Sequence, residues 1–350
     1  MATFLPEYLT PAHDLCLMNH DVLAELLRSG EESGLFSQQF DFKDESDRKA
    51  FEASEDVFEW LDKTRRGDDF ALFLRRTIFP AVLSDLLHFI CEALEASQKA
   101  KLTVSYALIR KPLQENLCLL EWIVSDPSSF ASHMRTRPQE LRSQKAGGWE
   151  QHSKRIEDVL QLLGETRRFD AVYLARLRYD KKSEDSFDGV CNLAMHLFTD
   201  HAALRTDPLN INFIFSGWDE KLTQWYFLYS RLPYLLFYIR RLTEHVVAEF
   251  GKTDPVYLDD IERRVAAATI LWWPAVLDDY KSPQIETFVS ATAEQLAASC
   301  IAQKHPIPTP SDLERMRATG AWPNESSLGV SLREARYKAF ALWRRIEKKT

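Results

Sequence analysis

The chain has 350 residues, of which 45% are hydrophobic and 27% are charged, and its formal net charge is −8. This composition is typical of a globular protein. The negative charge argues against a broad electrostatic surface for nucleic acid, although it is compatible with a local basic patch. The 11 glycines and 15 prolines are few for a sandwich, a barrel or a doubly wound fold, which need many turns. The phosphate-loop, dinucleotide-binding and serine-hydrolase motifs are absent from the sequence.

The cysteines predict a reducing compartment. They are odd in number, lie far apart and include no Cys-x-x-Cys motif: Cys16, Cys91, Cys118, Cys191 and Cys300. The N-terminal segment lacks the basic and apolar regions of a secretory signal. The most apolar segment, 225–239, is interrupted by Arg231 and Pro233, so we interpret it as a core helix and not as a membrane span. We expect a cytoplasmic protein without a membrane partner.

Helical periodicity dominates the first part of the chain. Apolar residues recur at helical spacing in four segments, 14–29, 46–63, 68–99 and 103–124. Pro80 lies inside the third segment, where it predicts two helices or one kinked helix, because proline lacks the backbone donor and clashes with the preceding turn. Asp126 and Pro127 end the fourth helix.

Residues 133–149 are polar and basic, and Gly147-Gly148 is the strongest signal of a flexible loop in the chain. We interpret this stretch as a linker or long loop and as the best candidate for a boundary. The predicted regions are an N-terminal helical region (1–131), the linker (132–150), a central bundle (151–302), and a proline-stiffened connector with a basic amphipathic helix (303–350). The central bundle is expected to complete its core with residues 68–125.

The remainder of the chain also has a helical pattern. Predicted helices cover residues 156–164, 169–179, 187–203, 221–250, 255–273, 283–302, 311–319 and 331–349. Asp254 before Pro255 is a favourable helix start, with a capping carboxylate and then proline at the first helical position. Only 210–216 resembles a strand, and one strand cannot make a sheet. The sequence predicts an all-α, multi-helix bundle of roughly ten to thirteen helices with no significant sheet.

The last predicted helix is basic and amphipathic. Phe340, Leu342 and Trp343 share one side, and cations such as Arg344 and Arg345 lie on the other. A solvated charged face is the default interpretation. The alternative is a helix that docks on an acidic partner or on nucleic acid.

The first candidate site is a pair at the end of the aromatic-rich helix 221–250. Arg240 and His245 are separated by four residues. A guanidinium can hold a phosphate while an imidazole moves a proton, and cleavage of RNA through its 2′-hydroxyl needs both functions. The alternative is a pair of helix-end cations that reach solvent and complement the helix dipole.

This spacing, on a helix of a helical bundle, resembles the R-x(4–6)-H motif of HEPN-type helical ribonucleases. In general character the chain is similar to HEPN-like, abortive-infection-type bacterial proteins over about residues 70–250. HEPN nucleases often have a polar residue directly after the arginine, and Arg241 is polar but charged. The resemblance implies a metal-independent ribonuclease dimer in which Arg240 holds phosphate and His245 acts as general acid or base.

Polar residues also interrupt the apolar helix predicted at 103–124. They are Arg110, Gln114, Glu115 and Glu121. Charged groups in such a helix are costly unless they are paired. Two interpretations follow: a buried ion pair that sets the register of the helices, or a polar site that opens between them.

The third candidate lies in the predicted helix 187–203. Asn192, His196 and Asp200 are spaced four residues apart, so a helix would align them on one face. The alignment suggests a His–carboxylate pair or a weak metal face, or simply a helix-end histidine beside an acid. No third metal ligand is apparent, and we predict neither a metal nor a cofactor.

These patterns leave two classes of function. The first is a soluble helical protein that acts through protein–protein interaction or regulation, in bacterial defence or stress, as a homodimer or with another protein. The second is a HEPN-like ribonuclease acting on RNA, assisted by Arg110, Glu115 and His196 if their helices face one another. Whether the protein is an enzyme stays open, and the interaction protein ranks first. The enzyme requires Arg240 and His245 to be exposed in a shared cleft.

Overall fold

The computed structural model describes residues 3–201, 204–214 and 216–347, with side chains described up to Ala339. Within these ranges the chain is helical and contains no β-strand, which confirms the all-α prediction. The helices are α1 (Thr10–Glu32), α2 (Glu45–Glu52), α3 (Val57–Lys63), α4 (Gly67–Gln98), α5 (Leu102–Lys111), α6 (Leu117–Ser125), α7 (Pro127–Thr136), α8 (Trp149–Leu163), α9 (Ala171–Tyr179), α10 (Phe187–Met195), α11 (Trp218–Phe250), α12 (Pro255–Trp272), α13 (Pro283–Ala302), α14 (Pro310–Thr319) and α15 (Ser327–Glu347). They outnumber the roughly ten to thirteen that were expected, because two predicted segments, 46–63 and 103–124, are divided and α7 was not predicted.

Two predicted segments differ from the structure for identifiable reasons. Residues 46–63 form two helices, since the carboxylate of Asp56 accepts a hydrogen bond from the backbone N–H of Glu59 at 2.8 Å and starts a new helix. Pro80 lies inside α4, a single helix, so of the two alternatives for 68–99 the division into two helices is wrong. Proline removes only one backbone donor there, and the packing of buried neighbours such as Leu83 supports the helix on both sides.

Helix α11 lies at the centre of the fold. Every residue from 228 to 240 is buried, as its aromatic-rich sequence predicts. Helices α1, α5, α6 and α8 pack around it. One cluster of buried apolar residues extends from Leu5 to Val289, and it includes Leu141 from the segment predicted as a linker. That segment forms short 3-10 turns that pack on the bundle.

A second, smaller cluster joins α12, α13 and α14. Its members are Ala266, Ala267, Leu296, Cys300, Leu313, Met316 and Trp322. Helix α15 is held on α12 by an ion pair between Arg333 and Asp260 and by Arg264, which lies 3.8 Å from Glu334. The C-terminal helix therefore packs on the bundle over its described side chains. The apolar and basic residues predicted from 340 onward lie outside them.

Helix α4 is the one described helix that is long and apolar enough to cross a membrane, judged by length and composition alone. Within its most apolar window, 39% of the residues are buried in the fold. Core helices of soluble proteins pass the same test, so this is weak evidence for a membrane span.

Candidate functional site

Arg240 is fully buried within an ion-pair network. Its Nη2 donates to Glu262 Oε2 at 2.7 Å, and its Nη1 donates to Glu244. Its guanidinium carbon lies 4.5 Å from the centre of the Phe237 ring. Both terminal nitrogens are therefore engaged by carboxylates, and the side chain has no exposed surface with which to hold a phosphate.

The same network extends from α11 to α12 and to the loop after α8. Arg168 contacts Glu262 and Glu165, each at 2.6 Å, and Arg241 reaches Glu165 at 2.5 Å. Burial by itself would raise the pKa of Glu262, but the charges of Arg240, Arg168 and Arg241 outweigh it and hold that pKa well below its usual range. Three arginines thus balance three glutamates, and the network binds the helices to one another.

His245 does not share a cleft with Arg240. Five helical residues correspond to a rotation of about 140° around the axis, so the two side chains leave α11 in different directions. The His245 side chain is 29% exposed, and its Nε2 lies 3.4 Å from Glu249 Oε1. Arg75 pairs with the same glutamate. The exposed Arg–His cleft that the ribonuclease interpretation requires is not present in this chain by itself.

The polar residues of the 103–124 segment lie around a π-helical turn, Pro112–Asn116, that joins α5 to α6. Glu121 is buried, but its partner is Arg178 of α9 and not Arg110. Gln114 donates to Asp188 at 2.7 Å. The predicted buried ion pair therefore exists, although it joins two helices that are distant in the sequence.

The two other residues of that group lie apart from the pair. Glu115 is exposed and accepts a hydrogen bond from Ser143 at 2.6 Å. Arg110 is half-buried, and its Nε has no hydrogen-bond partner among the described residues. No hydrogen bond or ion pair among those residues joins Arg110, Glu115 or His196 to Arg240 or His245.

A buried histidine beside the Glu121–Arg178 pair was not singled out from the sequence. The ring of His152 stacks on Tyr179 with 3.6 Å between centroids, and its Nε2 donates to the carbonyl of Ser143 at 3.0 Å. Burial, with the charges of Arg178 and Arg155, lowers the pKa of His152 to about 3. The hydrophobic period of α8 places His152 on its buried face, which was the available signal.

The predicted helix over 187–203 is wrong from His196 to His201, and its last two residues, 202 and 203, lie outside the described residues. His196 has extended backbone angles and is exposed, as is Asp200, so the two do not share a helix face. Asn192 stays on α10 and is half-buried. Asn212 explains the difference, because its side chain offers the backbone of this region an alternative to helical hydrogen bonds.

The described residues between 196 and 216 form a loop organised around that asparagine. Asn212 Nδ2 donates to the carbonyl of His196 and to Thr199 Oγ1, each at 2.8 Å. Asn212 Oδ1 accepts from Thr206 Oγ1 at 2.8 Å, and the Asn212 N–H reaches the carbonyl of Leu197 at 3.1 Å. One side chain therefore holds three positions of the loop together.

This loop and its flanks expose large apolar side chains, which we call the loop surface. Its members are Met195, Leu197, Phe198, Leu209, Ile214 and Trp218. Leu209 is completely exposed and has a φ of 62°, a left-handed conformation that is unfavourable for leucine. The sequence analysis identified an extended connection here, but periodicity does not show which apolar residues of an irregular segment face solvent.

Among the described residues, no three His, Cys, Asp or Glu side chains come together as metal ligands. Over the described part of the chain, the fold and these sites define an all-α bundle whose helices are joined by buried ion pairs and which has an exposed apolar loop. Comparison with models of protein families, with curated proteins and with solved structures finds no match for this chain.

Proposed function

We propose that this protein acts by binding a protein partner through the loop surface. The observation that carries the proposal is the exposure of six large apolar side chains within one loop and its flanks. Single exposed apolar residues are normal on protein surfaces, whereas a concentration of large ones in one segment is characteristic of an interaction site. A long loop whose described residues form neither helix nor strand is characteristic of functional segments.

The hydrogen bonds of Asn212 support this function because they order the loop before any partner arrives. An ordered loop loses less conformational entropy on binding, so more of the gain from apolar burial appears as affinity. Complete burial of a leucine or phenylalanine contributes about 1.5–3 kcal/mol. Phe198 and Leu209, which are 64% and 103% exposed, have the most apolar surface to bury and are the expected energetic centre.

The ribonuclease alternative has less support. Arg240 would have to leave two carboxylates before it could hold a phosphate, and it would leave Glu262 partly unpaired. Charge-assisted hydrogen bonds of this kind are the stronger ones in proteins. We therefore favour interaction over catalysis.

The test compares wild-type protein with Phe198→Ser/Leu209→Ser and with a control, Leu162→Ser, which changes a leucine that is 53% exposed on α8. Self-association is measured by sedimentation over a wide concentration range. Binding to other proteins is measured by affinity capture with quantitative mass spectrometry. We expect either a dimer or a specific captured protein that the double variant loses and the control retains. Equal behaviour of all three folded proteins in both assays would exclude the loop surface as the binding site.

A further inference from the structure

A cavity of about 330 Å³ lies apart from the loop surface, between the end of α1, the end of α11, the start of α12 and α15. Its volume is within the range of about 300–1,000 Å³ that is usual for small-molecule sites. Leu26, Leu35 and Val247 line it, together with Tyr257 and Tyr337. Sites of this kind bind the apolar body of a ligand and orient it with a few polar groups.

The acidic residues around this cavity already have partners. Glu25 and Glu32 both pair with Arg28, at 2.7 and 2.5 Å. The carboxylate of Asp254 caps α12 by accepting from the Val256 N–H at 2.8 Å. A cationic ligand would therefore have to compete with existing ion pairs and a helix cap.

The two lysines at the cavity do not supply a buried positive charge either. Lys252 is exposed, and Lys338 is 73% exposed and lies 3.8 Å from Glu334. Charges in water are well solvated, so neither lysine compensates the desolvation of an anionic ligand inside the cavity. Among the described side chains, a charged molecule of either sign would therefore lose hydration without gaining a buried partner.

Two of the hydroxyl groups at the cavity belong to tyrosines and can bind a ligand. The rings of Tyr257 and Tyr337 meet edge to face with 5.8 Å between centroids, and neither hydroxyl has a hydrogen-bond partner among the described residues. Burial, with the negative charges of Glu25 and Glu244, raises the pKa of Tyr257 to about 12. This phenol therefore stays protonated at neutral pH and can donate a hydrogen bond, while the same negative charges disfavour an anion.

We propose that this cavity binds an uncharged small molecule with an apolar body and one hydrogen-bonding end, of the alcohol or phenol class. Its apolar part lies against Leu26, Leu35 and Val247, and its polar end meets the tyrosine hydroxyls. Because Tyr337 belongs to α15 and Tyr257 to α12, the ligand adds contacts between the C-terminal helix and the bundle. Binding therefore favours the docked position of α15.

The test uses the full chain and an uncharged fluorescent probe, N-phenyl-1-naphthylamine, whose emission rises in apolar sites. Competitors are 1-octanol, octanoate and octylammonium, which share one chain and differ in charge. We expect saturable binding of one probe molecule, and displacement by octanol at a concentration at least roughly tenfold lower than by either ion, because the ions lose hydration without a partner. No saturable binding, or displacement by an ion as effective as by octanol, would overturn the proposal.

Substitutions test whether the probe binds in this cavity. Ser29→Phe adds a ring at a half-buried position of its lining, and Ser84→Phe makes the same change at a half-buried position of α4, which does not line the cavity. We expect Ser29→Phe to weaken probe binding at least roughly tenfold while Ser84→Phe leaves it unchanged, since the cavity has room for either the ring or the ligand but not both. Equal probe affinity in the two folded variants would refute the site.

Two further variants test the same site if Ser29→Phe does not fold. Tyr337→Ala removes a half-exposed ring from the wall, and it should also weaken probe binding. Tyr257→Phe keeps the ring and removes the hydroxyl. It should therefore weaken the binding of octanol more than the binding of the probe, which has only a secondary amine as its polar group. An unchanged probe affinity in Tyr337→Ala would count against the cavity, and an unchanged octanol affinity in Tyr257→Phe would remove the proposed hydrogen bond.

Discussion

Arg178 of α9 and Glu121 of α6 form an ion pair in which both side chains are completely buried, although 57 residues separate them in the sequence. Tyr238 of α11 donates to the same carboxylate at 3.1 Å, and the Arg178 Nε donates to the carbonyl of Leu113 at 2.7 Å. The pair therefore joins α6, α9 and α11 at one point of the core. Removing one of the two charged side chains should therefore destabilise the protein far more than removing both.

The first prediction follows from this pair. Arg178→Met leaves a buried carboxylate unpaired and should lower the free energy of unfolding by about 3–5 kcal/mol. Arg178→Met/Glu121→Leu should recover a large part of that loss, because no buried charge remains. Arg167→Met, in an exposed pair with Glu294 at 3.3 Å, serves as the control and should change stability by less than about 1 kcal/mol. Urea unfolding checks all three, and equal losses in the single and double variants would contradict the account.

The second prediction concerns His152 and pH. In the folded protein its pKa of about 3 lies below the ordinary value of 6.5. Between these two pH values, the unfolded state binds a proton that the folded state does not bind. As the pH falls from 6.5 towards 3, this histidine therefore lowers the free energy of unfolding by about 1.4 kcal/mol for each pH unit. Its full contribution to stability is present above pH 6.5.

Urea unfolding of wild type and His152→Gln at pH 7, 6 and 5 measures this effect. The glutamine can still donate to the carbonyl of Ser143 but does not titrate. We expect the stability of the variant to fall less steeply below pH 6.5 than that of wild type. Identical pH slopes would show that His152 does not resist protonation in the folded protein.

The third prediction concerns Gly320, which follows α14 with a φ of 64°. A Cβ at this position would lie 2.1 Å from Asp260 Oδ1, and Asp260 holds Arg333 of α15. Gly320→Ala should therefore destabilise the protein by more than the cost of the left-handed conformation alone. Gly164→Ala is the matched control, because its φ is 68° and nothing lies within 4 Å of the added Cβ.

Thermal unfolding of the two alanine variants separates the contributions. Gly164→Ala should cost about 1 kcal/mol from backbone conformation, and Gly320→Ala should cost that amount together with the displacement of Asp260. The Gly320→Ala protein should also lose protection of α15 from hydrogen exchange. Equal stability of the two variants would mean that the contact with Asp260 relaxes without cost.

The fourth prediction separates a structural Arg240 from a catalytic one. Arg240→Ala should lower the free energy of unfolding by about 3–5 kcal/mol, since it breaks buried ion pairs, while His245→Ala should change it by less than about 1 kcal/mol. Induced bacterial expression of wild type and both variants should give equal growth and intact total RNA. Growth arrest with RNA cleavage that the folded His245→Ala protein lacks would restore the ribonuclease alternative.

The fifth prediction concerns Leu209, the most exposed residue of the loop surface. Leu209→Gly should raise the free energy of unfolding by up to about 1 kcal/mol, because glycine adopts a φ of 62° without strain and Leu209 has no buried surface to lose. Leu197→Gly, at an exposed position of the same loop without a positive φ, should not stabilise the protein. Under the proposed function, Leu209→Gly also loses partner binding. A stabilised variant with unchanged binding would place the contact elsewhere in the loop.

Several elements follow from short-range patterns alone. The start of α12 is predictable because Asp254 accepts from the N–H of Val256 only two residues away, and Pro255 presets the first helical φ. The burial of α11 follows from an aromatic-rich composition that no amphipathic surface helix would have. The limits of α13 agree with the predicted 283–302 because proline and a serine cap mark its start.

The candidate sites depended on contacts that no local pattern contains. Arg240 and His245 have the spacing of a catalytic pair, but their surroundings are set by Glu262 of α12 and Glu249, which determine what each side chain can reach. Likewise, Asn192, His196 and Asp200 have helical spacing, and Asn212 supplies the hydrogen bonds that end the helix instead.

The sequence by itself therefore determined the helical class and most helix positions, since hydrophobic period, caps and prolines act over a few residues. Only the tertiary structure decided that Arg240 is enclosed, that Glu121 pairs with Arg178, and that Leu209 is left in solvent. The reason is physical: the free energy of a charge or an apolar side chain depends on which neighbours replace water, and those neighbours come from distant parts of the chain.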